Sequence, residues 1–235
     1  MRLGIILTPD VRSKAYLQKI IFNKINQDMI IFLNDKRVEK NYNINEKDEA
    51  KKCGFDISEA VNVTLTKHNL SFKEFNFVDI NHPELTEYLK HTQIDFFVFS
   101  GGGVLKSEVL SSGPRFIHLH PGITPQYRGS TCFYYSIINE DRCGVTAFVM
   151  DEGLDTGPVI YQKIFDKPNH IYIDEVYDAH IRSETLIDVL KNNRLEGKIF
   201  SKKTFEEGNT YFIIHPVLKH IAILNCVKNK TEFCM

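Results

Sequence analysis

The sequence predicts an α/β fold with a mostly parallel, twisted sheet and helices on both of its faces. Short apolar runs alternate along the chain with segments that carry apolar residues at helical spacing, as successive strand and helix units do. The run at residues 94–100 is almost continuously apolar, which is typical of a strand buried on both faces of a parallel sheet. The 235 residues are 43% apolar and 25% charged, so the chain can build a sizeable core.

The elements follow in chain order from these patterns and from the turn residues between them. Pro9 ends the first apolar run, and Pro83 suits the first turn of a helix because proline has no N–H to leave unpaired. Strands are predicted at residues 3–7, 28–33, 71–78, 94–100, 115–119, 143–150 and 159–165, with a strand-like stretch at 210–214. Helices are predicted at residues 12–25, 55–68, 82–91, 130–139 and 174–192, with a short helix after residue 105 and a helix-like stretch at 217–224. The polar segment 34–52 is predicted to be a mobile loop or a weakly ordered insertion.

Length and charge restrict the class of protein. Residues 1–192 are predicted to form one large domain, and residues 193–235 a short C-terminal appendage. The net charge of −1 with neutral histidines provides no basic field for nucleic acid. No apolar run is long enough to act as a signal peptide or to cross a membrane. Five cysteines without metal-knuckle spacing predict free thiols in a reducing compartment. We therefore expect a cytoplasmic protein without nucleic-acid or membrane partners.

Two histidines stand at the end of a predicted strand, immediately before a turn. His118 and His120 are two residues apart, so a strand projects both from one face. Pro121 and Gly122 then turn the chain. The pair can donate to a developing oxyanion and shuttle a proton near neutral pH, or it can present two nitrogens to one metal ion. The structural alternative is two polar side chains that are hydrogen-bonded to the loop backbone.

Two further loops that follow predicted strands carry candidate site residues. The loop 151–158 contains Asp155, and a carboxylate beside a histidine orients the ring and raises its basicity. Acidic loop residues also cap helices and turns, so both roles stay open. Three glycines at 101–103 allow the backbone to approach a flat or phosphorylated ligand, or simply form a tight strand-to-helix turn. Because ligands bind at the carboxyl ends of strands, all three loops are expected on one edge of the sheet.

These segments together resemble the formyltransferase family that uses 10-formyltetrahydrofolate. The family motif joins a histidine-centred loop to an aspartate-centred loop further along the chain. The matching residues are His120-Pro121-Gly122, Pro125, Tyr127-Arg128-Gly129 and Asp155-Thr156-Gly157-Pro158-Val159-Ile160. The match covers roughly residues 94–165. One position departs from the motif, because the family has an asparagine where this chain has His118.

The resemblance implies a Rossmann-like formyltransferase fold, with residues 1–192 as the catalytic domain. It implies transfer of a formyl group from the co-substrate 10-formyltetrahydrofolate to the primary amine of a small molecule. A nucleotide-linked amino sugar is the favoured acceptor, and no metal is required. Whether the protein forms a homodimer stays open. The residues that carry over are catalytic His120, Asp155 and His118, folate-binding Gly102, Gly103, Val104, Leu105, Asp151 and Gly153, and substrate-binding Tyr127, Arg128 and Gly129.

The replacement of the family asparagine by His118 leaves three interpretations of activity. In the family, this asparagine donates a hydrogen bond to the oxygen on which charge develops, and a histidine can also donate from a ring N–H. Losing such a donor costs roughly 10²–10³ in rate. The chain is therefore a formyltransferase that uses His118, a catalytically silent relative that binds folate or a partner, or a metal-dependent hydrolase built on His118, His120 and Asp155.

Two other acceptors of the family are disfavoured. Residues 8–12 lack the glycine-rich phosphate loop that is expected for glycinamide ribonucleotide. No basic RNA-binding segment follows residue 200, which disfavours methionyl-tRNA.

Overall fold

A central sheet organises the computed structural model, which describes residues 1–196 and 208–227. The strands are β1 Leu3–Leu7, β2 Met29–Leu33, β3 Lys73–Phe75, β4 Phe96–Phe99, β5 Arg115–His120, β6 Tyr127–Gly129, β7 Arg142–Val149, β8 Val159–Asp166 and β9 Asn209–Tyr211. Seven of them form the central sheet in the order β3-β2-β1-β4-β5-β7-β8, and β6 pairs with β9 in a separate two-stranded sheet.

Most of the central sheet is parallel. The pairs from β3 through β2, β1 and β4 to β5 all run in the same direction. At the other edge, β7 is antiparallel to β5 and β8 is antiparallel to β7. The predicted α/β fold with a mostly parallel sheet is confirmed.

Helices cover both faces of this sheet, as predicted. They are α1 Val11–Phe22, α2 Ile44–Lys52, α3 Val61–Lys67, α4 Pro83–Lys90, α5 Ser107–Leu110, α6 Cys132–Glu140, α7 Asp178–Lys191 and α8 Pro216–Val227, with a π-helical turn at Ile173–Tyr177 before α7. Strand β1 shows how the faces divide, because successive strand residues point to opposite sides. Ile5 belongs to the buried cluster that contains Leu17 of α1, whereas Ile6 belongs to the cluster that contains Leu85 of α4.

The polar segment 34–52 contains a helix, so the predicted mobile loop is wrong for the part that forms α2. This helix begins at a capping box, in which Asn43 Oδ1 accepts from Glu46 N and the Glu46 carboxylate accepts from Asn43 N. Ala50 is fully buried in a small cluster that also contains Phe55. Capping and one short buried face stabilise α2, which is why apolar periodicity does not reveal it.

The described part of the predicted C-terminal appendage packs against the main domain. β9 pairs in parallel with β6, and Ile214 and Ala222 of this part are buried in the largest core cluster. The boundary after residue 192 stays a prediction, and residues 197–207 and 228–235 of the appendage lie outside the described residues. None of the helices within the described ranges is long and apolar enough to cross a membrane.

Candidate active site

One cavity of about 690 Å³ gathers seven of the predicted site residues near the ends of β4 and β5. They are Gly102, Gly103, Val104, His118, His120, Gly129 and Asp155. The position agrees with the rule that ligands bind beyond the carboxyl ends of parallel strands. The volume suits a small organic ligand, since such sites commonly measure about 300–1,000 Å³.

His120 ends β5 and is held between two hydrogen-bond acceptors. Its Nε2 lies 2.9 Å from the carbonyl oxygen of Tyr127, and its Nδ1 lies 3.3 Å from Oδ2 of Asp155. Burial lowers the pKa of His120, and the Asp155 carboxylate acts in the opposite direction. The imidazole is therefore oriented and able to exchange a proton. A neutral ring has one N–H for these two acceptors, and Nε2 must leave the Tyr127 carbonyl before it can act on a substrate.

Asp155 reaches His120 by a route that the sequence does not predict. Because β7 is antiparallel to β5, the end of β7 lies beside the start of β5, where Met150 N donates to Phe116 O. The loop 151–158 therefore leaves from the end of the sheet at which β5 begins. The expectation that all three site loops leave from one edge is wrong for this loop. The chain turns back, and Asp155 has a φ of 53°, a left-handed conformation that aspartate tolerates better than most residues.

Gly129 connects this aspartate to the loop after β5. Its N–H donates to Oδ2 of Asp155 at 2.8 Å, so one carboxylate oxygen is shared between this amide and His120. Gly129 has a φ of +99°, and a Cβ there would collide with the carbonyl oxygen of Tyr211. Glycine is required at this position by its backbone conformation and by the close approach of the C-terminal segment.

Three of the predicted folate-binding residues do not line the cavity. Leu105 is 2% exposed and belongs to the core. Asp151 Oδ1 accepts from Gly153 N at 3.0 Å and from the Thr156 hydroxyl at 2.8 Å. Asp151 and Gly153 therefore shape their own loop, and their role in folate binding stays a prediction.

Two of the predicted substrate-binding residues also lie outside the cavity lining. The ring of Tyr127 stacks on that of Tyr211, with ring centroids 5.3 Å apart. Arg128 Nη2 donates to Gly208 O at 3.2 Å. Both contacts join the loop after β5 to the C-terminal segment, so a role in acceptor binding stays a prediction.

His118 lines the cavity and has one unsatisfied ring nitrogen. Its Nδ1 is buried and has no hydrogen-bond partner within the part of the chain that the structure describes. Burial lowers the pKa of His118 well below its ordinary value, and the charges of Arg182 and Arg12 act in the same direction. The ring is therefore neutral at neutral pH, with one N–H and one acceptor nitrogen.

This neutral histidine predicts a loss of stability in acid. The pKa of a histidine in the unfolded chain is about 6.5. The pKa of His118 is lower in the folded chain, so the unfolded state binds more protons between the two values. The free energy of unfolding should be maintained above about pH 6.5 and fall below it, by at most about 1.4 kcal/mol per pH unit from this group. Urea unfolding measures this slope, and His118→Asn should reduce it. An unchanged slope in the variant would contradict a neutral His118.

The cavity is also lined by four charged residues, which sequence patterns do not single out. They are Arg12, Asp174, Asp178 and Arg182. Arg182 Nε donates to Asp178 Oδ1 at 2.7 Å, and its Nη1 donates to Leu119 O at 2.6 Å. This buried ion pair ties α7 to β5 between the two histidines. Its i,i+4 spacing on a predicted helix is the signal that could have identified it. Residues 210–213 also line the cavity, and no local pattern indicates this.

The metal-dependent alternative has no ligand set in residues 1–196 and 208–227. No group of three or more histidine, cysteine, aspartate or glutamate side chains in these ranges is placed to hold a metal ion. His120 and Asp155 contact each other directly rather than converging on a common point.

The protein is a mostly parallel α/β domain with a histidine–aspartate pair at a strand end. Comparison with known proteins identifies its family. The family model described as Formyl transferase matches residues 28–184, and the chain belongs to this family. The resemblance noted in the sequence is thereby confirmed.

Individual relatives share part of the sequence or the fold. The chain is 31% identical over 147 residues to a methionyl-tRNA formyltransferase from Caldanaerobacter subterraneus subsp. tengcongensis, a match that covers 60% of this chain and 47% of that protein. It spans about half the length of the curated relatives it matches.

Two solved structures have a similar fold. One is a sugar N-formyltransferase from a Shewanella species, with a TM-score of 0.59, 17% identity, and coverage of 96% of this chain and 88% of that one. The other is an N-formyltransferase from Helicobacter canadensis in complex with folinic acid and dTDP-3-aminofucose, with a TM-score of 0.58, 15% identity, and coverage of 97% and 80%. At these identities the comparison shows a shared fold.

Proposed function

We propose that this protein transfers a formyl group from 10-formyltetrahydrofolate to the primary amine of a small molecule. The observation that carries the proposal is the His120–Asp155 pair, which lies in the cavity within the region matched by the Formyl transferase family. The complex of the Helicobacter canadensis relative with folinic acid and dTDP-3-aminofucose supports the same two classes of substrate. A nucleotide-linked amino sugar is the favoured acceptor.

The glycine loop after β4 provides a surface for the formyl donor. Gly102 and Gly103 line the cavity, and nothing lies within 4 Å of the point where a Cβ at Gly103 would stand. Val104 is 60% exposed beside them and offers an apolar contact. A flat ring can therefore approach the backbone of this loop closely. The bound donor supplies the formyl group.

His120 moves the proton in this mechanism. As the amine nitrogen bonds to the formyl carbon, negative charge develops on the formyl oxygen and the amine acquires a proton to lose. His120 accepts the amine proton on Nε2, donates the resulting Nε2–H to that oxygen and then gives the proton to the leaving N10 nitrogen, while Asp155 accepts from Nδ1–H and keeps the ring oriented. The bond from the formyl carbon to N10 breaks, so the products are an N-formyl amine and tetrahydrofolate.

His118 takes the place of the family asparagine as the second donor. A neutral imidazole has one N–H, which must leave the Phe99 backbone to donate to the formyl oxygen, and burial beside Arg12 and Arg182 keeps the ring neutral. The cavity also holds the two reactants in contact, and such alignment supplies a large part of the acceleration in a two-substrate transfer.

The proposal is tested by incubating the purified protein with 10-formyltetrahydrofolate and a panel of primary amines that includes nucleotide-linked amino sugars. Mass spectrometry should show an acceptor that carries one additional formyl group, and absorbance should show release of tetrahydrofolate. Methionyl-tRNA is included as a comparison acceptor because it is disfavoured by the sequence. The absence of any formylated product, together with no binding of a stable folate analogue, would refute the proposal.

Asn81 braces the glycine loop from outside the cavity, and removing it should weaken donor binding. Its Nδ2 donates to Val104 O at 3.0 Å, and its Oδ1 accepts from Lys106 N at 2.8 Å. Asn81→Ala should raise KM for 10-formyltetrahydrofolate by up to about 30-fold, because two hydrogen bonds of about 1 kcal/mol each are lost. KM for the amine should not change, and steady-state kinetics measure both constants. Lys106→Ala keeps the backbone N–H and is the matched control. An equal rise in both variants would contradict a bracing role.

A further inference from the structure

The C-terminal segment is fixed directly against the loop that follows β5, the strand of His118 and His120. β9 pairs with β6, and Ser130 N donates to Tyr211 O at 2.8 Å beyond the end of this pair. The ring of Tyr211 packs on Tyr127 and on Tyr135, with centroid distances of 5.3 and 4.4 Å. The segment therefore has a defined position beside the cavity.

Thr131 holds the next part of this segment. Its hydroxyl accepts from Ile214 N at 3.0 Å and lies 3.4 Å from the Phe212 carbonyl oxygen, to which it donates. The same carbonyl accepts from the Tyr135 hydroxyl at 3.2 Å. Thr131 has a φ of 53°, which is unusual for a β-branched residue, and such strained positions cluster at functional sites. Hydrogen bonds therefore hold the backbone at residues 212 and 214, on either side of Ile213.

Phe212 and Ile213 present large apolar side chains from this anchored backbone. Phe212 is 80% exposed and Ile213 is 79% exposed, and both line the cavity that contains His120 and Asp155. Adjacent exposed apolar side chains at a cavity indicate a binding surface. Because hydrogen bonds hold the backbone on each side, fraying does not account for this exposure.

Apart from Leu154, the exposed apolar side chains that line the cavity belong to two segments. One is the glycine loop with Val104, where the formyl donor is proposed to bind. The other is the pair Phe212 and Ile213. This pair follows β9, which lies against Gly129, and Gly129 N donates to Asp155. Transfer requires the two reactants to meet at His120. The wall that the donor leaves free is therefore available to the acceptor.

We propose that Phe212 and Ile213 bind a flat, apolar ring of the acceptor, at a distance from its reacting amine. This proposal rests on the proposed function, because it requires a second substrate in the same cavity. Charged side chains also line the cavity, among them Arg12 and Asp174, and they suit the polar part of the acceptor. A nucleobase and an aromatic amino-acid side chain share the ring chemistry that these two residues would recognise.

The lack of tryptophan in the chain allows a direct binding test. Phe212→Trp keeps an aromatic ring at this position and introduces a single tryptophan whose fluorescence reports on it. The full-length variant is titrated with UDP and with phenylalaninamide, and the ring-free controls are pyrophosphate and methylamine. Saturable quenching by UDP identifies a nucleobase as the source of the ring, and quenching by phenylalaninamide identifies a side chain. No quenching by either, or equal quenching by the controls, overturns the proposal. The titration needs no turnover, so its result is independent of whether formyl transfer occurs.

Kinetics provide a second test on the wild-type background. Phe212→Ala should raise KM for a ring-bearing acceptor about tenfold, since stacking on an aromatic side chain is worth a factor of this order. Neither kcat nor KM for the formyl donor should change. Ile221→Ala is the matched control, because Ile221 is 42% exposed on α8 and does not line the cavity. Equal effects of the two substitutions would overturn the proposal.

A second copy of the chain is the competing occupant of this wall. Exposed apolar side chains continue along α8 at Val217 and Ile221, so the surface extends beyond the cavity. Sedimentation of the wild type and of Phe212→Ala over a range of concentrations separates the two occupants. If the substitution dissociates a dimer and leaves KM for the acceptor unchanged, the wall is a subunit interface and ring binding is overturned.

Discussion

Replacing His120 by alanine is expected to lower kcat for formyl transfer about 10³-fold, because a positioned general acid–base contributes about 10²–10⁴ to rate. Asp155 Oδ2 holds Nδ1 of the ring, so Nε2 is the nitrogen that acts on the reacting atoms once it has left Tyr127 O. KM for either substrate should change little, since the imidazole acts on the reacting atoms rather than on the remote parts of the substrates. The rate of tetrahydrofolate release under saturating conditions measures the effect.

The controls for His120 separate chemistry from folding. His220→Ala removes an exposed histidine of α8 and should leave kcat unchanged. Asp155→Asn should also lower kcat strongly, and the double variant should lose little more than His120→Ala alone, because the two residues act as one unit. Circular dichroism and thermal unfolding confirm that each variant is folded. Wild-type turnover in both single variants would refute the assignment of the pair.

Replacing His118 by alanine is expected to lower kcat about 10²–10³-fold, which is the usual cost of removing one oxyanion donor. His118→Asn should recover most of this loss, because asparagine is the residue that the sequence resemblance leads us to expect here and its amide donates without titrating. The neutral His118 ring has a single N–H to give. Single-turnover rates for the wild type and the two variants measure the donor's contribution to the chemical step.

The two His118 variants together decide what this position does. Normal turnover in His118→Ala would show that His118 is not a donor. Equal loss in the alanine and asparagine variants would show a function that only the imidazole supplies. Higher activity in His118→Asn than in the wild type would show that the histidine is a weaker donor than the family asparagine.

The central histidine–aspartate pair could be predicted because local turn signals mark each loop and the resemblance to the formyltransferase family joins the two. Pro121 and Gly122 turn the chain directly after His120, and the loop around Asp155 carries its own glycine and proline residues. Turn-forming residues of this kind act over a few positions, so they can be recognised in the sequence. In the structure, the two loops meet at the 3.3 Å contact between His120 and Asp155.

The direction of β7 could not be predicted, and it changes how Asp155 arrives. An apolar run such as residues 143–150 has the same pattern in a parallel and in an antiparallel strand. Direction depends instead on the length and path of the preceding connection. Here α6 and its short connection return the chain antiparallel to β5, so the aspartate loop starts from the opposite edge and turns back.

By itself, the sequence determined the α/β class and the order of most elements, because both depend on the spacing of neighbouring residues, and its resemblance to the formyltransferase family predicted the histidine–aspartate pair. Only the tertiary structure decided which charged residues surround the pair and that the C-terminal segment forms a wall of the cavity. Arg182 meets Leu119 and Tyr211 meets Gly129 across long separations in the chain. Such contacts form when separate elements pack together, and no local pattern encodes them.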